Sequence, residues 1–369
     1  MTISDLGLSN EPPNLAVGGQ TWLEIQQQPA LWPTTAERVR EGIARLELQA
    51  KLREARAVIT GAGTSGYAAA AVAAAWPGSI AVPSTDLLLQ TERFTEDSTV
   101  LVSISRSGDS PESLAVVDRV HRLCPAMWHL AITCNSRGAL ATSPLVKAIT
   151  LDPRTNDQSL VMTSSFSNLL LAGLCLTKSD VMEPIIARAV AEANEQFSLI
   201  NRKMMDLANR VEDRVVLLGS VPFLGWAQEG ALKILEMTAG RFPVLAETYL
   251  GLRHGPMSFV RPNTAVICLL SNDRRVRLYE EDLIRELRTK KLGYLVGIGH
   301  SGGQIASQLL DEVIPPLLSQ APDAVRTPFE ILCLQLLGYH LSLREGRNPD
   351  NPSPSGVINR VVQGIRIHR

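Results

Sequence analysis

Ala57-Val-Ile-Thr-Gly-Ala-Gly-Thr-Ser-Gly66 passes from residues suited to a buried strand, through a glycine-rich turn, into the alanine-rich stretch that begins at Tyr67. A short apolar run that stops at glycines and gives way to helix formers is the strand–turn–helix unit of a parallel sheet. The unit recurs downstream. Thr99-Val-Leu-Val-Ser-Ile104 precedes Ser105-Arg-Ser-Gly-Asp-Ser110 and a helix expected from Pro111, and His129-Leu-Ala-Ile-Thr133 precedes Cys134-Asn-Ser-Arg-Gly138. Strands alternating with helices at this spacing predict an α/β fold with a doubly wound parallel sheet.

The second half repeats the plan. Arg214-Val-Val-Leu-Leu-Gly-Ser220, Thr264-Ala-Val-Ile-Cys-Leu-Leu270 and Tyr294-Leu-Val-Gly-Ile298 follow their first-half counterparts at an offset of about 160 residues, the mark of a duplicated domain. Two tandem domains also suit the length of 369 residues. The expected partition is a helical segment over 1–50, a first domain over 51–200, a second over 201–345 and a tail over 346–369. The boundary falls near Ser198–Leu207, in a polar helical linker, and Pro29 and Pro33 are expected to break the first helix early. The tail is Asn/Pro/Ser-rich before it turns apolar, as a segment laid across the body would be.

With 36 basic and 37 acidic side chains the formal charge is −1, so no electrostatic footprint for nucleic acid or an acidic membrane exists. The five cysteines lack metal-ligand spacing and are expected to be buried free thiols in a reducing compartment. The N-terminus has neither the basic nor the apolar region of a secretory signal, and the expectation is a cytoplasmic protein. No metal and no cofactor are expected.

Gly61-x-Gly63-x-x-Gly66 formally matches the dinucleotide fingerprint, with Asp86 where a ribose-binding acid belongs, but one such match is weak. Gly63, Thr64 and Ser65 equally suit a phosphate or sugar hydroxyl at a helix N-terminus. Ser105-Arg-Ser-Gly-Asp-Ser110 is more telling. Ser105, Ser107 and Ser110 bring three hydroxyls to a turn that opens on a helix end, a cup for a compact phosphate monoester. An ordinary capped helix is the competing account. Farther along, Glu229, Lys233 and Glu236 share one face of a helix whose other faces are small or apolar; a solvated Glu–Lys pair or a carboxylate base in a partly dry pocket both fit. His254 stands before Gly255-Pro256 in a loop, where it serves as a proton shuttle or as a hydrogen-bonded turn residue. His300 and His340 read as structural.

These motifs, with Arg253-His-Gly-Pro256, resemble the sugar isomerase (SIS) domain family over about residues 50–345, and in particular the isomerase half of glucosamine-6-phosphate synthase. Glu24-Ile-x-Gln-Gln-Pro29-x-x-Trp32, Asp350-Asn-Pro-x-Pro-Ser-Gly356 and Asn359-Arg-Val-Val-Gln-Gly364 look like a narrower group of tagatose-6-phosphate ketose/aldose isomerases and galactosamine-6-phosphate deaminases. The resemblance implies two flavodoxin-like SIS domains. Ser105, Ser107, Ser110 and Thr64 would hold the phosphate, with Gly63, Ser65, Arg106, Thr163 and Ser164 lining the phosphate or sugar. Glu236 would move a proton between C1 and C2, His254 would assist ring opening from a second subunit of a homodimer, and Lys233 would orient or balance a carboxylate beside Glu229. The implied activity is amino-sugar-phosphate deamination with isomerisation, or isomerisation without loss of ammonia, or sugar-phosphate sensing without catalysis. Met1-Thr2 offers no cysteine nucleophile, so glutamine-derived ammonia is not expected. Asn359-Arg360 stand where the synthase has a tail lysine, which puts any lysine-dependent step in doubt.

Overall fold

The computed structural model describes residues 17–96, 98–299, 308–362 and 364–368; the His300-Ser-Gly-Gly303 loop lies outside the described residues. Strands β1 (Ala57–Gly61), β2 (Ile80–Pro83), β3 (Val100–Ser105), β4 (Trp128–Thr133) and β5 (Lys147–Thr150) form one sheet in the order β2-β1-β3-β4-β5. Strands β6 (Val215–Gly219), β7 (Val244–Glu247), β8 (Ala265–Leu269), β9 (Tyr294–Ile298) and β10 (Glu312–Ile314) form the other in the equivalent order β7-β6-β8-β9-β10. Every pairing is parallel. The duplication extends to detail. A Cβ on Gly61 would stand 2.5 Å from the Ser65 carbonyl oxygen, and one on Gly219 would stand 2.7 Å from that of Phe223, so each half turns out of its first strand through the same tight loop.

The six strands expected from sequence are the inner ones, buried throughout except at Trp128 and Tyr294. The edge strands β2, β5, β7 and β10 are three or four residues long and half exposed, so no apolar run marks them. Pro33 does not break its helix: one helix spans Gln28–Arg45. Pro29 sits in the first turn, where its missing N–H has no partner to lose, and Pro33 forfeits a single backbone bond.

The expected boundary falls inside the helical segment Ser164–Arg210, two helices that meet at a kink where Lys178 is non-helical (φ −133°, ψ 27°). Its first part, through Leu176, is buried on every face. It packs against the Thr64–Ala75 helix so closely that a Cβ on Gly173 would lie 2.4 Å from Val72 Cγ2. One apolar cluster runs from Ile59 through Phe166 and Leu170 to Leu217 and Ile267, so the two sheets share a core.

The alanines of the Thr64–Ala75 helix have a positional consequence. They let the Leu224–Met237 helix lie against it antiparallel, with Gly225 over the Tyr67 carbonyl and Ala71 while Lys233 reaches Thr64. The C-terminal end of one helix is thereby brought to the N-terminal end of the other. Replacing Gly173 by leucine overfills the contact with Val72, and a loss of about 1–3 kcal/mol is expected, read as a lowered thermal midpoint.

Candidate active site

In the first sheet, β1 leads to β2 on one side and β3 leads to β4 on the other. The loops that leave β1 and β3 therefore diverge and open a crevice at the carboxyl ends of the strands, the usual ligand position in such sheets. One wall is the Gly61–Gly66 turn, with Gly63 at φ 54° and ψ −129° entering the Thr64 helix. The other is the Ser105–Ser110 cup.

The cup is held from behind. The loop after β4 donates to three successive cup carbonyls: Thr133 Oγ1 (3.2 Å) and Cys134 N (3.2 Å) to Arg106, Asn135 Nδ2 (2.9 Å) to Ser107 and Leu140 N (2.9 Å) to Gly108. A Cβ on Gly138 would stand 2.2 Å from the Ser107 carbonyl oxygen, so only glycine fits there. Asp109 accepts from Ala139 N at 2.8 Å. On the open side, Ser105 Oγ accepts from Gly108 N (3.0 Å) and Ser107 Oγ from Asp109 N (3.2 Å), while Ser110 Oγ pairs with Ser113 Oγ at 2.8 Å. A hydroxyl whose oxygen already accepts a backbone N–H keeps its own proton for an anion.

The Leu224–Met237 helix meets this crevice at Thr64. Lys233, fully buried, donates to Glu236 (2.7 Å) and to Thr64 Oγ1 (3.1 Å) and lies 3.3 Å from Glu229 Oε1, to which Thr64 also donates at 3.3 Å. Burial pushes the Glu229 carboxyl up to about 7 against the pull of Lys233. For Lys233 burial acts downward, yet the Glu229 and Glu236 carboxylates outweigh it and hold the ammonium above the usual lysine value. Glu236 keeps 24% of its side chain exposed while its counter-charge Lys233 stays dry. The half-buried Tyr67 phenol, one turn along from Thr64, is raised first by burial and then by Glu229 and Glu236, which sets it at the same mouth.

Several expected residues are engaged differently. The Thr64 hydroxyl is committed to Glu229, so it joins the acid/base set and leaves its helix-end amide for an anion. The Arg106 guanidinium turns away from the cup opening: it donates to the Leu160 carbonyl at 3.3 Å and to the Arg360 carbonyl, and burial lowers its pKa. Ser65 is nearly buried at the turn. Thr163 and Ser164 are completely buried, Ser164 accepting from Asn168 at 3.3 Å. His254 is exposed on its loop, its backbone N–H on the Gly251 carbonyl at 2.9 Å, and no hydrogen bond joins its ring to Glu236 or Lys233 among the described residues. His340 is a buried core histidine bonded to Asn201 at 2.7 Å and lowered to about 4 by burial. Asp86 is exposed on a short helix after β2.

Asp157 and Glu24 are buried acids at the loop behind the cup, and nothing in the sequence pattern marks them. Asp157 Oδ2 accepts from Thr163 N (2.8 Å), Ser165 N (2.8 Å) and Ser165 Oγ (2.5 Å), capping the long helix from six and eight residues upstream. Glu24 accepts from Gln158 N (2.5 Å) and Ser159 N (3.1 Å) and is pushed up to about 7 by burial and then by Asp157. The tail locks onto the same loop, Arg360 donating to the Asp157 carbonyl at 2.9 Å and to Asn156 Oδ1 at 2.8 Å. A capping box at standard spacing would have signalled Asp157; this one is tertiary. Four cysteines are buried free thiols and Cys124 is half-buried. Among the described residues no group of three His, Cys, Asp or Glu side chains offers a metal site, and no helix is long and apolar enough to cross a membrane.

The geometry can be set beside known proteins. No protein-family model matches the chain. A Shewanella sp. (strain ANA-3) protein named D-galactosamine-6-phosphate deaminase AgaS is 34% identical, covering 99% of this chain and 96% of its own. A Streptomyces coelicolor protein provisionally given the same name is 36% identical, covering 94% of each chain. The crystal structure of tagatose-6-phosphate ketose/aldose isomerase from Escherichia coli superposes with a TM-score of 0.81 at 28% identity, over 98% of this chain and 100% of the other.

Lys233 carries a testable consequence. Lys233→Met keeps the side chain's length and strands Glu229 as a buried carboxyl without its counter-charge, at an expected cost of about 3–5 kcal/mol near neutral or higher pH. Burial holds Glu229 at about 7 with Lys233 beside it, and removing the ammonium raises it further, so both proteins lose stability alike from 4.5 to about 7 and the variant's extra penalty grows as pH rises above that interval. Denaturant titrations on both sides of that interval are expected to show the smaller loss on the acid side.

Proposed function

The chain belongs to the AgaS family of D-galactosamine-6-phosphate deaminases, and from that premise we propose that it converts galactosamine-6-phosphate and water to tagatose-6-phosphate and ammonia. The observation that carries the proposal is the buried Lys233 that binds Glu236 and Thr64 together, so that a carboxylate from the second half of the chain stands at the crevice beside the Ser105–Ser110 cup.

The chemistry follows from what these groups can do. Hydroxyls of Ser105, Ser107 and Ser110, with backbone amides of the cup and of the Gly63–Ser65 turn, hold the phosphate and so fix C1 and C2 at the mouth of the crevice. His254 passes a proton between ring oxygen and anomeric hydroxyl, which opens the ring and exposes the C1 aldehyde. Glu236 takes the C2 proton. The freed electron pair forms a C1=C2 double bond while the C1 carbonyl π electrons move to O1, which takes a proton from solvent; return of the Glu236 proton to C1, with release of a nitrogen-bound proton, leaves an imine at C2. Water adds to that imine, ammonia departs and the ketose remains. Lys233 orients Glu236 by a short charged bond while contributing no exposed group of its own. The same base interconverts ketose and aldose when C2 carries a hydroxyl in place of the amine, so ammonia release separates deamination from plain isomerisation.

Incubation with galactosamine-6-phosphate is expected to yield ammonia and tagatose-6-phosphate in equal amounts; ketose without ammonia would move the assignment to the isomerase. Glu236→Gln is expected to lower kcat by roughly 10²–10⁴-fold while ligand binding persists.

We further propose that the working unit is a homodimer in which His254 serves the neighbouring subunit. Its exposure, and a ring with no hydrogen bond among the described residues, support this, as does the resemblance to synthases whose equivalent histidine crosses subunits. Equal mixing of Glu236→Gln and His254→Ala chains then builds one intact site in each hybrid dimer, and activity is expected to return to about a quarter of the unmixed wild type. Failure of the inactive variants to complement would place His254 in its own subunit's site.

A further inference from the structure

The second sheet has the same divergence of loops as the first, between β6 and β8, and its crevice is not empty of charge. Ser107 and Ser271 stand two residues beyond the ends of β3 and β8. Each accepts from the N–H of an aspartate two positions on, Asp109 N to Ser107 Oγ at 3.2 Å and Asp273 N to Ser271 Oγ at 3.0 Å. The turn has therefore survived in both halves, although the serine-rich spelling has not.

The two copies differ in what faces them. At the second, the Asp323 carboxylate accepts the Ser271 hydroxyl proton on Oδ2 and takes Asn272 N (2.8 Å) and Arg326 Nη1 (3.0 Å) on Oδ1. A hydroxyl, a backbone amide and a guanidinium converging on one anionic group is the donor set of a phosphate site. Here the anion is part of the chain. Arg326 is fully buried and also grips Glu330 and the Leu270 carbonyl, so it is fixed without Asp323. A second observation points the same way. Glu280, completely buried, accepts from Ser271 N at 2.9 Å through Oε2, which Arg277 Nε approaches to 3.4 Å, while its Oε1 has no hydrogen-bond partner among the described residues. That oxygen lacks a donor of the kind a protonated phosphate oxygen or a water supplies.

We propose that the carboxyl end of the second sheet is an anion-binding site of the phosphate-monoester class which the chain keeps filled with its own Asp323, so that each chain holds one sugar phosphate and not two. Divergence of the β6 loop fits this. Where the first half has Thr64 and Ser65, the second has Pro222 and a buried Phe223 under Arg326, so neither of those two hydroxyls is present for a sugar. A phosphate would be gripped there and its sugar would not.

The test uses the full-length protein and inorganic phosphate. Crystals of the wild type, Asp323→Gly and Asp323→Ser are soaked under identical conditions, and anions at the two crevices are counted. The wild type is expected to hold one, at Ser105–Ser110. Each variant is expected to hold a second, within hydrogen-bond reach of Ser271 Oγ, Asn272 N and Arg326 Nη1, and its melting temperature is expected to climb with phosphate more steeply than the wild type's. Should the glycine variant fail to fold, the serine variant decides. A folded variant with phosphate in the first crevice and none in the second overturns the inference. A second crevice that fills while Ser105–Ser110 stays vacant would leave the inference standing and defeat the assignment of the first cup.

Discussion

Lys233 is an ammonium with no exposed surface, set between Glu229 and Glu236 and bonded across the junction of the two halves to Thr64. Taking such charges out of water costs several kcal/mol per ion, and close partners with good geometry are needed to offset it. Those partners come from two places, the lysine's own helix and the first turn of a helix about 170 residues earlier. The fold accordingly has little freedom in how the halves meet. Any slip between the Thr64 and Leu224 helices would part Lys233 from Thr64 and leave Glu229 less satisfied. The small residues along that contact, Ala71 and Gly225 among them, are what allow the two backbones to come close enough.

That constraint explains the division of labour between the duplicated sheets. Each produces a crevice at the carboxyl ends of its strands, because both have the same strand order. The first crevice keeps hydroxyls whose protons are uncommitted and a frame of carbonyls tied back by the next loop. The second keeps the turn but fills it with carboxylates and guanidinium groups. A buried network of Asp323, Arg326 and Glu330 binds the β8 loop to the segment before the last helix. What the second half brings to Thr64 at the first crevice is the end of a helix carrying Lys233, with Glu236 bonded to it.

The Gly19–Gln26 helix and the tail converge on the loop at 156–160. Glu24 takes the amides of Gln158 and Ser159, Arg360 takes the Asp157 carbonyl, and Arg106 of the cup takes carbonyls from Leu160 and Arg360. The Thr21 hydroxyl and amide both reach Asp350 at 2.7 Å, closing the ring between the first helix and the tail. The arginine in the cup thus acts on the site through its frame. Burial lowers its pKa, with the attraction of the buried Asp157 acting in the opposite direction.

How much of this was legible in advance follows the range of the interactions. The inner strands, the glycine turn and the helix from Pro111 could be read because each is specified by neighbours within a few residues: an apolar run, a position that tolerates no Cβ, a proline in the first turn. The Glu229-Lys233-Glu236 face was equally visible, since helical periodicity alone aligns it. The edge strands were not, being too short and too exposed to leave a pattern. Nor were the Asp157 cap, the commitment of Thr64 to Glu229, the turning of Arg106 toward the tail or the Asp323 carboxylate over Ser271. Each joins residues whose separation along the chain bears no relation to their distance in space. Sequence therefore determined which chemical groups the chain carries and the local frames that present them. Only tertiary structure decided which carboxylate faces a crevice and which is spent inside, because the energy of a buried charge depends on partners that folding alone brings within reach.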